Sequence, residues 1–152
     1  MRFIDVPAVT GLERAVFPYP WTKNHFFSEI TTHCSTNIVA VTTLQTPYVI
    51  VGYLCARTVC DECSLHKLAT SKGHRRRGIA SALMDVLMTE AWMHDARSVH
   101  LEVRETNHGA QQFYKTLGFL KTGKRIRYYN ESNEDAVIMS RQLREPPAAL
   151  RD

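Results

Sequence analysis

The segment from Leu65 to Glu90 constrains the fold more than any other part of the chain. A short apolar run, Leu65 to Ala69, leads into Gly73-His74-Arg75-Arg76-Arg77-Gly78-Ile79-Ala80, after which Ile79, Leu83, Val86 and Leu87 recur on one stripe. An apolar run that passes through a glycine-bearing turn into a 3.6-residue period predicts a strand, a basic turn and a helix from about residue 77 to 95. The residues of the stripe, with Met84 and Met88 beside it, are core candidates. A helix start leaves backbone N–H groups unpaired and carries partial positive charge, and Gly78 and Ala80 are small enough to let an anion approach that backbone. Arg75, Arg76 and Arg77 add formal charge at the same place. The spacing is shorter than a dinucleotide fingerprint and lacks the Gly-Lys-Ser/Thr ending of a P-loop.

Charge alone does not name the anion. The net charge is +4, and much of the excess lies in Lys72 to Arg77 and Lys121 to Arg127. Nucleic acid and a phosphorylated cofactor both satisfy such clusters. At 152 residues, 44% hydrophobic and 22% charged, the chain is expected to form one domain over residues 1–145 with a tail from Pro146 to Asp152. No apolar run approaches the roughly 20 residues that span a bilayer, and Met1-Arg2-Phe3-Ile4-Asp5 carries no signal-peptide pattern, so a cytoplasmic location and no membrane partner are expected.

The remaining elements follow from pattern. Val9, Leu12, Ala15 and Val16 recur at helical spacing, Phe17-Pro18-Tyr19-Pro20-Trp21 is a proline-broken aromatic loop, and Thr22 is placed to cap a second helix through Ile30. Ile38 to Leu44 and Tyr48 to Val59 read as an antiparallel hairpin across Gln45-Thr46-Pro47, and Leu65 to Thr70 as the next strand. Ser98 to Arg104 alternates, with Val99, Leu101 and Val103 on one face and His100 and Glu102 on the other. Asn107 can cap a helix that Gly118 ends, and residues 119–128 and 135–143 close the chain as two strands. The fold class is α/β with a mixed sheet and one long crossover. Cys60-Asp61-Glu62-Cys63, with His66 three positions on, lacks a second ligand pair and joins two strand-like runs, so Cys34, Cys55, Cys60 and Cys63 read as free thiols and no metal is expected.

The basic turn resembles the acetyl-CoA pyrophosphate loop of the GNAT acetyltransferases. Leu101-Glu102-Val103-Arg104-Glu105-Thr106-Asn107, continuing through Ala110, Phe113-Tyr114 and Leu117-Gly118-Phe119, resembles the last motif block of that superfamily, and in particular the RimI-like ribosomal-protein alanine N-acetyltransferases. The loop at Phe17 to Trp21, the acidic pair Asp61-Glu62, and Arg125 to Tyr129 followed by Glu134 to Met139 are similar to further segments of that family in the same order. The resemblance spans residues 17 to 139.

It implies the GNAT fold, a central mixed, mostly antiparallel sheet flanked by about four helices. It also implies acetyl-CoA as cosubstrate and a free protein N-terminus attacking its thioester in a ternary complex. By position Glu102 corresponds to the general base, acting through water, and Tyr114 to the general acid. Arg75, Arg76, Arg77, Gly78, Ile79 and Ala80 fall on the pyrophosphate site, backbone groups of Leu68 and Thr70 on the pantetheine strand, and Asn107 on the same arm. Trp21, Glu62 and Tyr128 fall near the peptide. An α-amine near pKa 7.8 loses its proton at neutral pH for about 1 kcal/mol, against roughly 4 to 5 for lysine, so one glutamate relaying through water suffices. Asp61, Glu62, Glu131 and Glu134 suit a basic ribosomal protein. His66-Lys67, Cys60 and Cys63, and Tyr19-Pro20 depart from the family pattern near the expected peptide entrance. Two alternatives stay open: the same chemistry on a small amine or lysine side chain, and a basic nucleic-acid-binding module, which leaves Glu102 and Tyr114 unexplained.

Overall fold

A computed structural model of the chain describes residues 1–43, 47–147 and 150. Among them lie helices α1 (Val6–Val16), α2 (Lys23–Thr31), α3 (Ile79–Met93) and α4 (His108–Thr116). The strands are β1 (Ser35–Val41), β2 (Ile50–Val59), β3 (Glu62–Thr70), β4 (Ser98–Arg104), β5 (Leu120–Tyr129) and β6 (Glu134–Gln142). They form one six-stranded sheet in the order β1-β2-β3-β4-β6-β5. Every neighbouring pair is antiparallel except β3 and β4, which the α3 crossover makes parallel. The mixed, mostly antiparallel architecture with four helices is the one expected.

Each face of the sheet owns a core. On one, α1 and α2 bury Val6, Val9, Leu12 and Phe26 against Tyr53, Cys55 and Ala69. On the other, Leu83, Met84, Leu87, Met88 and Ala91 of α3 pack on Leu54, Leu65, Val99, Leu101 and Met139. Full burial of a side chain the size of Phe26 or Leu87 stabilises by about 2 kcal/mol, and these two clusters hold the layers together. The α3 seam differs from the expected stripe. Val86 is 45% exposed while Met84 and Met88 are buried, so the helix presents a wider face rotated towards the methionines. Gly52 lets α3 come close, because a Cβ there would stand 3.0 Å from Ile79 Cγ2 and 3.0 Å from the Ala69 carbonyl.

Several boundaries shift. β1 starts at Ser35 and β2 at Ile50, whereas the hairpin turn at Leu44, Gln45 and Thr46 lies outside the described residues. β3 begins at Glu62, so the Cys60–Cys63 segment is the β2–β3 turn running into a strand. There Cys60 is exposed and Cys63 buried.

The decisive feature of the sheet is where pairing stops. β3 and β4 are paired only from Glu62↔Ser98 to Leu65↔Leu101. At the next residue β3 bulges, Ala56 facing Leu65 and Cys55 facing Lys67, and the strand continues beside β2 to Gly52↔Thr70. β4 continues beside β6 to Arg104↔Ala136. A bulge bends and twists the strand that carries it, and here the two parallel strands part into a wedge.

Candidate active site

One side of the wedge is β3 and the loop that follows it. Beyond Leu65, β3 keeps β2 as its ladder neighbour, which leaves its other backbone edge facing the opening along His66 to Thr70. Leu68 packs against the α3 core, and the Thr70 hydroxyl oxygen is buried without a hydrogen-bond partner. The chain then makes a single 3-10 turn at Lys72–His74, held by Ser71 N donating to the Val51 carbonyl at 2.8 Å and a 2.8 Å contact between Ser71 Oγ and His74 Nδ1. Arg76 and Gly78 both take left-handed backbone, φ 61° and 77°. Left-handed residues set into a turn make concave clusters of N–H groups that suit anions. Gly78 is the N-cap of α3. No atom lies within 4 Å of the place its Cβ would take, so glycine there answers the backbone angle and not crowding. The cap has no side-chain acceptor and the first turn no acidic residue, and the helix ladder begins with Ala82 N on the Gly78 carbonyl, so the N–H groups of Ile79, Ala80 and Ser81 are uncovered. Arg75, Arg76 and Arg77 are all exposed around it. Leu68, Thr70 and Arg75 to Ala80 thus form a continuous path from the wedge to a helix N-terminus. Backbone donors, a partnerless buried hydroxyl and three cations fit a diphosphate-bearing acyl carrier.

The other side is built from side chains. Glu102 stands on β4 one residue past the last β3–β4 pair, on the face away from α3. Its carboxylate pairs with Arg125 of β5 at 3.3 Å. Its carbonyl accepts a 3.4 Å hydrogen bond from the Tyr129 hydroxyl. Asn107 caps α4, Oδ1 accepting from Ala110 N at 3.1 Å, as its position predicts. Gly118, at φ 81°, turns the chain so that buried Phe119 lies edge-on to Tyr114 at 5.7 Å. Tyr114 is thereby fixed in the core. Burial, with Tyr129 close by, pushes its hydroxyl above the ordinary tyrosine range, so it stays a proton donor. Burial likewise pushes Tyr129 up to about 12.

The hairpin decides which tyrosine faces this site. The β5–β6 register slips between Arg125 and Tyr129, where Arg127 takes φ 52° and its N–H donates to Asp135 Oδ1 at 2.7 Å. From Arg125 to Tyr129 β5 takes four steps where β6 takes two, from Ala136 to Glu134, so two extra residues are bulged out and Arg125 and Tyr129 both reach Glu102. Tyr128 is exposed, with Arg125 5.4 Å from its ring centre, while Tyr129 is turned towards β4. Glu62 sits at the far end of the same open face. It is opposite Ser98, four strand positions or about 13 Å from Glu102 along β4, and 3.8 Å from His100.

Trp21 is held by a feature the sequence pattern did not expose. Glu13 lies on the buried face of α1 and is fully enclosed. It accepts from Trp21 N at 2.8 Å, from Lys67 Nζ at 2.9 Å and from the Tyr53 hydroxyl. The Lys67 ammonium also lies 4.2 Å from the Phe17 ring centre and 5.2 Å from that of Trp21. The bulge aims Lys67 at α1. A charged residue one position after Leu12, inside an apolar stripe, was the only trace of this in the sequence. Among the described residues no cluster of three or more His, Cys, Asp or Glu side chains is arranged to hold a metal ion, and no helix is long and apolar enough to cross a membrane.

The model of the acetyltransferase (GNAT) family matches residues 6–119. A putative ribosomal protein bS18-alanine N-acetyltransferase of Bacillus subtilis is 30% identical over 149 residues, covering 91% of this chain and 90% of its own. An N-alpha-acetyltransferase of Sulfurisphaera tokodaii is 32% identical, covering 93% of this chain and 90% of its own. The crystal structure of the ribosomal-protein-S18-alanine N-acetyltransferase from Escherichia coli superposes with a TM-score of 0.84 at 25% identity, over all of this chain and 96% of that one.

Proposed function

This chain belongs to the acetyltransferase (GNAT) family, and on that premise we propose that it acetylates the free N-terminal amine of a protein, an N-terminal alanine of a small-subunit ribosomal protein. The bacterial relatives named for that reaction on bS18 support the acceptor. The observation that carries the chemistry is a juxtaposition. Glu102 stands where β3 and β4 part, with the Tyr129 hydroxyl on its carbonyl, and Tyr114 is buried beside Phe119, its hydroxyl kept protonated first by that burial and then by Tyr129.

Acetyl-CoA supplies the activated acyl group as a thioester. The backbone of Arg76 to Ala80 holds its pyrophosphate, with Arg75 to Arg77 adding charge, and the free edge of β3 at Leu68 and Thr70 pairs with the pantetheine arm beside Asn107. N–H groups at the wedge polarise the thioester carbonyl, which is preorganised oxyanion stabilisation. Glu102 accepts the proton of the attacking amine through a water. Tyr114 donates its hydroxyl proton to the departing sulfur. Trp21 and Tyr129 wall the acceptor, and Tyr128 flanks its entrance. Glu62, at about 13 Å, meets the acceptor only some four residues beyond its reacting amine, so it selects for basic residues downstream.

The test uses acetyl-CoA with two peptides, one beginning with free alanine and one blocked at its N-terminus but containing lysine. Acetyl transfer to the free terminus alone is expected. Transfer to the internal lysine of the blocked peptide overturns the terminal-amine assignment in favour of a side-chain amine.

A further inference from the structure

We infer that Arg104 is a positioning residue that pins the two walls of the acceptor site to each other, so that the aromatic loop between α1 and α2 and the β5–β6 turn open or close together. Arg104 ends β4 two residues beyond Glu102 on the same face, its side chain 23% exposed. One nitrogen, Nη1, donates to Glu134 Oε2 at 2.9 Å and to Ser132 Oγ at 2.5 Å, both in or beside the β5–β6 turn. The guanidinium lies 3.9 Å from the Tyr129 ring centre and 5.5 Å from that of Tyr19. Tyr19 itself, 46% exposed at the tip of the aromatic loop, donates to the Glu131 carbonyl at 3.4 Å.

Three segments far apart in the chain therefore meet at one planar cation. Glu134 is fixed in turn, accepting from Thr106 N at 3.0 Å and Thr106 Oγ1 at 2.5 Å, so the turn is tied to the end of β4 and not to Arg104 alone. The tip of the aromatic loop is held through Tyr19 alone among the described residues, by its ring on Arg104 and its hydroxyl on the Glu131 carbonyl. At its base Glu13 and Lys67 hold Trp21. A guanidinium combines donors for carboxylate and hydroxyl with a planar face that stacks on aromatic rings, whereas an ammonium has no such face. Tyr129, which Arg104 packs against, is the ring whose hydroxyl reaches Glu102. The pin thus sets how far apart the two acceptor walls stand.

The kinetic part of this inference rests on the peptide acceptor proposed above, and the structural part does not. Arg104→Lys keeps the charge and removes the stacking plane; Tyr19→Ala keeps the arginine and removes one wall. Amide hydrogen exchange in Arg104→Lys is expected to quicken about tenfold in both segments, 17–21 and 130–134, with β2 and α3 unchanged. The KM for an alanine-led hexapeptide should rise about tenfold, while the KM for acetyl-CoA and turnover of alaninamide, too short to reach the turn, stay within about twofold. Tyr19→Ala should add little on top of Arg104→Lys, because both remove one coupling. Unchanged exchange in either segment, or equal losses for alaninamide and the peptide, overturns the pin. A wild-type protein that leaves the hexapeptide unmodified sinks the acceptor assignment instead, and the exchange measurement still decides on Arg104.

Discussion

The two sides of the wedge are made of different material. Between Thr70 and Ala80 the surface offered is backbone: a strand edge, two left-handed residues and an uncapped helix start. Opposite it the site is built of side chains drawn from residues 13, 21, 67, 102, 104, 114, 129 and 134, in which carboxylates, cations and rings meet in shared contacts. A backbone site needs only a local conformation. A side-chain site needs the register of several strands to be right at once, and it fails residue by residue.

The sharpest way to break this contrast is on the side-chain half. Tyr114→Phe removes one hydroxyl that burial keeps protonated and is expected to lower kcat by about a hundredfold or more, the scale of a lost general acid, with acetyl-CoA affinity unchanged in a direct titration. Large loss of affinity with normal turnover would move Tyr114 to the cofactor half. Glu13→Gln comes next. It strands the Lys67 ammonium beside a neutral amide inside the protein and should cost about 3 kcal/mol, or roughly 6 to 12 °C in melting temperature. Arg76→Ala in the exposed loop should change melting by no more than about 0.5 kcal/mol, and equal losses for the two would erase the distinction. Arg75→Glu should raise the KM for acetyl-CoA about fivefold at low salt, less at high salt, and leave the peptide KM alone.

The smallest effect concerns acidity. Hydrogen bonds from Thr106, side chain first and backbone next, and then from Arg104 hold the Glu134 carboxyl down at about 2 against its ordinary 4.5. A pKa that is lower in the folded state contributes stability that is complete above about 4.5 and is lost as pH falls towards 2. The melting-temperature gap between the wild type and Glu134→Gln should therefore be constant above that window and shrink within it. A gap that widens on acidification would mean that Glu134 is not held as described.

Much of the scaffold was legible because it is local. Alternation in Ser98–Arg104 put Glu102 on the face opposite Val99, Leu101 and Val103, and that is where it lies. Asn107 and Gly118 bounded α4 by capping chemistry that depends on a few adjacent residues. Tyr128 and Tyr129 could not be told apart, because the Arg127 bulge is paid for by Asp135 on another strand. Val86 looked like core because a period of 3.6 fixes the spacing of a stripe but not how far the helix rolls against its sheet. Glu13 went unnoticed because its partners Trp21, Tyr53 and Lys67 are eight, 40 and 54 residues away.

The sequence by itself determined the order of elements, the basic turn that opens α3, the face on which Glu102 stands and the family to which such a chain belongs. Each follows from propensity, period or a short motif within a few residues. Tertiary structure alone decided where the β3–β4 ladder ends, which tyrosine turns inward, and that Glu13 and Arg104 meet the aromatic loop and the β5–β6 turn. Those depend on strand register and on charges that are stable in a protein interior only when a partner from a distant segment meets them.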